Sequence, residues 1–163
     1  MKQKHLKKYV VLLPRLLALI ATFLAAVITA TSHQKANILN ISFEAKYSDS
    51  PALKYFAIAN IVASIYGLLV LFLPLENSFW RYIVVPDIVV MMLLSTSVSA
   101  ALAIAHVGKK GNYNAGWLPI CGQFHKYCDQ VTAGLAAGFT GIFLYLLLVS
   151  YSFYSLLYYH LLA

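Results

Sequence analysis

Arg15 and Asp87 are lone charges set inside otherwise apolar stretches, and each directly follows a proline, as Pro14-Arg15 and Pro86-Asp87. An ionised side chain at such a place costs several kcal/mol in hydrocarbon. It persists when it pairs with an opposite charge, reaches the interface, or lines a water-filled path. One charge is positive and the other negative, so the leading expectation is a structural ion pair between two membrane helices. Two alternatives stand beside it. Arg15 reaches lipid phosphates while Asp87 sits independently, or both groups line a proton or ion path. An aspartate is harder to place alone, because its side chain is too short to snorkel.

The other residues with chemical potential are Cys121 and Cys128, the only cysteines, in the pattern Trp117-x3-Cys121-x6-Cys128. A disulfide between them closes a small ring and pins the loop that carries them, worth about 2–3 kcal/mol in a chain-entropy treatment. A redox centre is the weaker alternative, since there is no C-x-x-C and no second pair. Metal binding with His106 or His125 fits no zinc spacing, so no metal and no other cofactor is expected. Catalytic constellations are missing as well. There is no nucleophile elbow, no H-E-x-x-H, no P-loop and no paired carboxylates, and the expectation is a protein that is not an enzyme. Trp117, Tyr113, Phe124 and Tyr127 make the same loop aromatic-rich. They serve either as interfacial anchors or as a docking surface for an extracellular partner.

The elements that position these residues follow from charge and hydropathy. Of 163 residues, 61% are hydrophobic and 10% charged, against about 25% charged in soluble domains. Charge-free tracts run Leu16–Gln34, Tyr55–Leu75, Ile88–Gly108 and Gln130–Ala163. Each is long enough for the roughly 20 residues that cross a ~30 Å hydrocarbon layer. They predict one all-α domain over the whole chain, an antiparallel four-helix membrane bundle with helices at about residues 10–31, 53–73, 83–105 and 130–157. Two polar loops, His33–Ser50 and His106–Asp129, join them, and the connection Pro74–Tyr82 is short. Arg15 and Asp87 then lie at matched depth, about 6–8 Å into helices one and three from the same side at ~1.5 Å per residue. The first apolar tract is too long for a cleaved signal peptide and reads as helix one.

Small residues recur at helix-contact spacing: Ala59, Ala63 and Gly67 in helix two; Ser95, Ser99 and Ala103 in helix three; Gly134, Gly138 and Gly141 in helix four. Such stripes let helix backbones approach closely in lipid. They are expected to build the bundle, and a stripe left facing outward would serve self-association. Asn60, polar within helix two, is expected to hydrogen-bond across to another helix.

Orientation rests on three signs. Lys2, Lys4, Lys7 and Lys8 precede helix one, which favours a cytoplasmic N-terminus. Asn40-Ile41-Ser42 is a glycosylation sequon in the first loop. Both cysteines lie in the second loop, and paired cysteines persist in oxidising compartments. Together they place both loops outside and both termini in the cytoplasm. The net charge of +7 lies in loops and ends with no soluble fold to carry it, so nucleic acid is excluded as a partner and membrane lipid is favoured.

Taken together, these residues resemble the Casparian strip membrane protein-like (CASP-like) family of plants, related to the four-helix MARVEL domain. The resemblance is carried by Arg15, by Asp87, by Tyr47-x3-Pro51-Ala52-x2-Tyr55-Phe56-x3-Asn60, and by Gly116-Trp117-x3-Cys121-x6-Cys128. It implies a four-span plasma-membrane protein that forms homo- and hetero-oligomers with its relatives. It further implies a scaffold that organises membrane subdomains and recruits extracellular wall-modifying proteins. The segment Ser42–Tyr47 departs from the longer first-loop signature of the strip-forming members, so a general scaffold role is the expectation here. A small channel, transporter or accessory subunit using Arg15 and Asp87 in a polar path is the alternative.

Overall fold

A computed structural model describes residues 2–38, 41–72 and 80–162. In chain order these form α1 (Lys2–Ala30), strands β1 (His33–Ile38) and β2 (Ile41–Lys46), a 3-10 turn at Tyr47–Asp49, α2 (Pro51–Phe72), α3 (Trp80–Lys110), a second 3-10 turn at Tyr113–Ala115, and α4 (His125–Leu162). Four stretches are long and apolar enough to cross a membrane: Val11–Ala30, Pro51–Phe72, Ile83–Lys110 and His125–Ser155. The bundle turns large apolar side chains such as Leu13, Ile58, Phe72 and Val85 outward. That is the reverse of a water-soluble bundle and suits a lipid surround. The protein is a four-span, all-α membrane bundle with one small hairpin.

Around the ring, α1 and α3 each pack against both α2 and α4. Helices α1 and α3 therefore face each other across one diagonal, and α2 and α4 across the other. The buried residues of α1 include Val11, Arg15, Ala18, Thr22, Ala25 and Thr29, whose spacing alternates four and three. Those of α2 include Leu53, Phe56, Asn60, Ala63, Gly67 and Val70, alternating three and four. This is the 3.5-residue repeat that keeps one stripe against its neighbours along a whole span. One apolar cluster, including Leu53, Phe56, Val98, Tyr127 and Val131, fills the hairpin side. A second, including Val11, Ala18, Ala63, Leu94, Tyr145 and Leu148, fills the side of the chain termini.

All four helices differ in extent from the sequence expectation. α1 starts at Lys2, α3 runs from Trp80 to Lys110, and α4 begins at His125 and is 38 residues long. A charge-free tract marks where hydrocarbon ends, whereas a helix continues until its backbone is capped or broken. For α3 that point is Gly111, whose φ of +73° and N–H bond to Val107 O at 2.7 Å make a left-handed helix cap. A Cβ there would also sit 2.8 Å from Trp117 O, so only glycine fits. α2 opens on Pro51, whose missing N–H costs nothing at the first position.

The first loop is more ordered than a polar connection. β1 and β2 pair antiparallel from His33↔Lys46 to Ile38↔Ile41. Alternation fixes its two faces. Gln34 and Ala45 turn toward the bundle, and the opposed pair Lys35 and Glu44 turns outward, with Lys46 Nζ 3.1 Å from Glu44. The Gln34 Oε1 accepts the Tyr127 N–H at 3.0 Å, satisfying one of the open donors in the first turn of α4. The sequon residue Asn40 lies outside the described residues, as does the stretch 73–79 between α2 and α3.

Candidate functional site: a buried ion pair across the bundle

Arg15 and Asp87 meet across the α1–α3 diagonal. The guanidinium donates from Nη1 to Asp87 Oδ1 at 3.1 Å and from Nη2 to Oδ2 at 2.6 Å. This is the fork-on-carboxylate geometry that lysine cannot reproduce. The side chains are 4% and 0% exposed. Asp87 has a second side-chain partner, from α2: the Tyr66 hydroxyl lies 2.7 Å from Oδ1 and 3.4 Å from Ile83 O. With one proton to give, it serves the carboxylate, which is both nearer and charged. Three of the four helices thus converge on a single carboxylate.

The fourth helix closes the other diagonal nearby. Tyr145 of α4 is 2% exposed, and its hydroxyl donates to Ala63 O of α2 at 3.3 Å. Gly67, one turn further along α2, leaves room for that hydroxyl, at 3.5 Å from where its Cβ would be. A lighter polar contact lies toward the hairpin side. Ser64 Oγ sits 2.8 Å from Asn60 O and 3.0 Å from Thr22 Oγ1, tying α2 to α1. Among the described residues, no group of three or more histidine, cysteine or acidic side chains could hold a metal.

The small-residue stripes divide. Ala59, Ala63 and Gly67 are buried on α2, and Gly134, Gly138 and Gly141 are buried on α4. A Cβ on Gly138 would stand 2.8 Å from the Phe56 ring and 3.2 Å from Val98. The expectation that Ser95, Ser99 and Ala103 build the bundle is corrected. Ser99 and Ala103 are exposed and Ser95 only partly buried. The inward face of α3 is carried instead by Val90, Leu94, Ser97, Val98 and Ala101, whose three- and four-residue spacing keeps them on one side of the helix. Asn60 is also corrected. Its Nδ2 donates to Phe56 O of its own helix at 2.8 Å, since the carbonyl four residues back is always within reach.

Cys121 and Cys128 are bonded, with Cα atoms 5.7 Å apart. Only Cys121 lies in the loop; Cys128 is in the first turn of α4, so the bond ties the loop to a helix. The four aromatics separate likewise. Tyr113 and Trp117 are exposed, whereas Phe124 and Tyr127 are buried in the apolar cluster of the hairpin side. Phe124 and Tyr127 belong to the core and are not presented to a partner. Phe124, whose carbonyl accepts the Cys128 N–H at 3.1 Å, caps α4, and Tyr127 lies in its first turn.

Sequence reasoning passed over Tyr66 and Tyr145 as partners. The signal was available: Tyr66 lies six residues inside the end of α2 at Phe72, a helix that runs opposite to α1, which sets it near the depth of Arg15. Thr22 was legible too, seven residues from Arg15 on one stripe.

The Casparian strip membrane protein domain matches residues 4–144. A CASP-like protein 1C3 of Populus trichocarpa is 54% identical over 151 residues, covering 93% of this chain and 88% of its own. A CASP-like protein 1C2 of Vitis vinifera is 53% identical, covering 93% and 94%. A CASP-like protein 1C1 of Arabidopsis thaliana is 56% identical, covering 86% of each. No solved structure matches the chain. With the paired charges, the bonded cysteines and the four spans in place, the chain belongs to the CASP-like family of membrane proteins.

Proposed function

We propose that this protein is a non-enzymatic plasma-membrane scaffold that self-associates, with itself and with related CASP-like proteins, and organises membrane subdomains. Its termini lie in the cytoplasm and its loops outside, where they recruit wall-modifying proteins. The observation that carries the reading is the Ser95–Ser99–Ala103 stripe, turned away from the bundle on the least enclosed span. Only 28% of the apolar window of α3 is buried, against 39% in each other span. A small-residue stripe facing lipid lets a second helix approach closely. The interior supports the same reading. Asp87 is fully buried and held by two side chains, an arrangement that fixes a bundle and speaks against a water-filled path through it.

The test is the mass of the full chain in nanodiscs, paired with exchange of differently tagged copies. A defined oligomer that Ser99→Leu with Ala103→Leu disperses is the expected result. A particle that stays monomeric at every lipid ratio, with no exchange between tagged copies, refutes self-association.

A further inference from the structure

The second loop carries an exposed apolar run that the bundle does not use. Trp117 is 56% exposed, Leu118 73% and Ile120 43%. An exposed run of this kind calls for a cover. The loop is also rigid. Asn112 and Trp117 exchange backbone bonds at 2.8 and 2.9 Å, and Gly111 packs directly under Trp117 O and Pro119. Its far end is fastened by the bond from Cys121 to Cys128.

The position of the run decides what covers it. The Ile120 and Cys121 N–H groups both donate to Gly108 O, at 2.9 and 3.2 Å. Gly108 lies two residues inside the end of α3, at the end of its charge-free tract. The chain therefore folds back along the last turn of the helix. Lys109 and Lys110 are exposed beside it. Between His106 and Asp129 the sequence has the lysines Lys109, Lys110 and Lys126 against one carboxylate, Asp129.

We propose that this loop is a lipid-docking wedge: Trp117, Leu118 and Ile120 enter the headgroup region of the adjoining leaflet, while Lys109 and Lys110 bind phosphate-bearing anionic headgroups. Tryptophan and aliphatic side chains partition to that depth, and lysines at the same level gain from anionic lipid. A wedge already rigid before contact gives up little conformational entropy on entering. The proposal needs the loop beside the bilayer and holds for either orientation of the chain. It does not depend on self-association.

Trp80→Phe leaves Trp117 as the one tryptophan. That variant of the full chain is placed in nanodiscs of phosphatidylcholine alone or with phosphatidylglycerol, where both faces meet solvent. Trp117 fluorescence should be quenched by bromine carried high on the acyl chains and little by aqueous iodide, with protection from iodide increasing when phosphatidylglycerol is present. Retained phosphatidylglycerol, read by mass spectrometry, should fall about fivefold for each lysine replaced in Lys109→Gln and Lys110→Gln. Free quenching by iodide in both lipids overturns the proposal. Protection from iodide without quenching by bromine also overturns it, because another protein surface then covers the loop. Retention indifferent to both lysines removes the phosphate contact and overturns it as stated.

Discussion

Separating Arg15 from Asp87 is the sharpest perturbation the structure offers. Arg15→Met leaves the Asp87 carboxylate buried with only the Tyr66 hydroxyl, and Asp87→Leu leaves the guanidinium facing a methyl group. With charge centres about 4 Å apart, the lost attraction is about 4 kcal/mol at an effective dielectric of about 20. Removing one member of a buried pair typically costs about 3–5 kcal/mol. Either single variant should therefore lose about 10 °C of thermal stability, taking roughly 2–4 °C per kcal/mol for a chain of this size. The double variant Arg15→Met with Asp87→Leu has no buried charge to strand, and an apolar replacement of similar volume is often near neutral. Additive losses would total about 6–10 kcal/mol; a double variant within about 2 kcal/mol of the parent gives a coupling energy of about 4 kcal/mol or more. The assay is a melting series by fluorescence-detected size exclusion at one detergent and one lipid content, with reversible unfolding in mixed micelles for the energies. A double variant as unstable as the sum of the singles would show that the two charges do not support each other. The swapped pair, Arg15→Asp with Asp87→Arg, should recover only in part, because the Tyr66 hydroxyl then faces a cation.

Tyr66→Phe removes a donor to a charged acceptor and should cost about 1.5–3 kcal/mol. It should add nothing when Asp87 is already Leu, which the same melting series reads. Gly138→Ala drives a methyl group into the Phe56 ring and should destabilise by about 1–3 kcal/mol, whereas Gly67→Ala meets only ordinary contacts and should be neutral or mildly stabilising; thermal midpoints of the two, measured together, decide. Cys121→Ser with Cys128→Ser should lower stability by about 2–3 kcal/mol. Hydrogen exchange should then rise at residues 111–124 while the spans stay protected.

Much of this architecture was legible because lipid imposes few solutions. The four spans follow from charge-free length, and the meeting of Arg15 with Asp87 follows from sign and depth. What escaped has identifiable physical causes. The β1–β2 hairpin is six residues a strand, with Lys and Asn that strands ordinarily avoid, and the sequence between the strands, Leu39-Asn40, is not an Asn-Gly or Asp-Gly pair. Phe124 and Tyr127 read as loop residues because Lys126 and Asp129 stand close by, yet α4 begins at His125, directly after Phe124, and both rings turn inward. The stripe on α3 was misjudged because small residues at a four-residue spacing say that close approach is allowed, without saying toward which neighbour. The intervening Val90, Leu94, Val98 and Ala101 at near-heptad spacing carried that information.

The partners of the buried pair stand 72 residues apart in the chain. During synthesis at about 5–20 residues per second, Arg15 is made some 4–14 s before Asp87 exists to receive it. Through that interval the first span carries a cation whose carboxylate has not yet been made. A truncated or stalled product displays an unneutralised cation within the bilayer. A finished copy differs from an unfinished one by a single carboxylate delivered beside that cation.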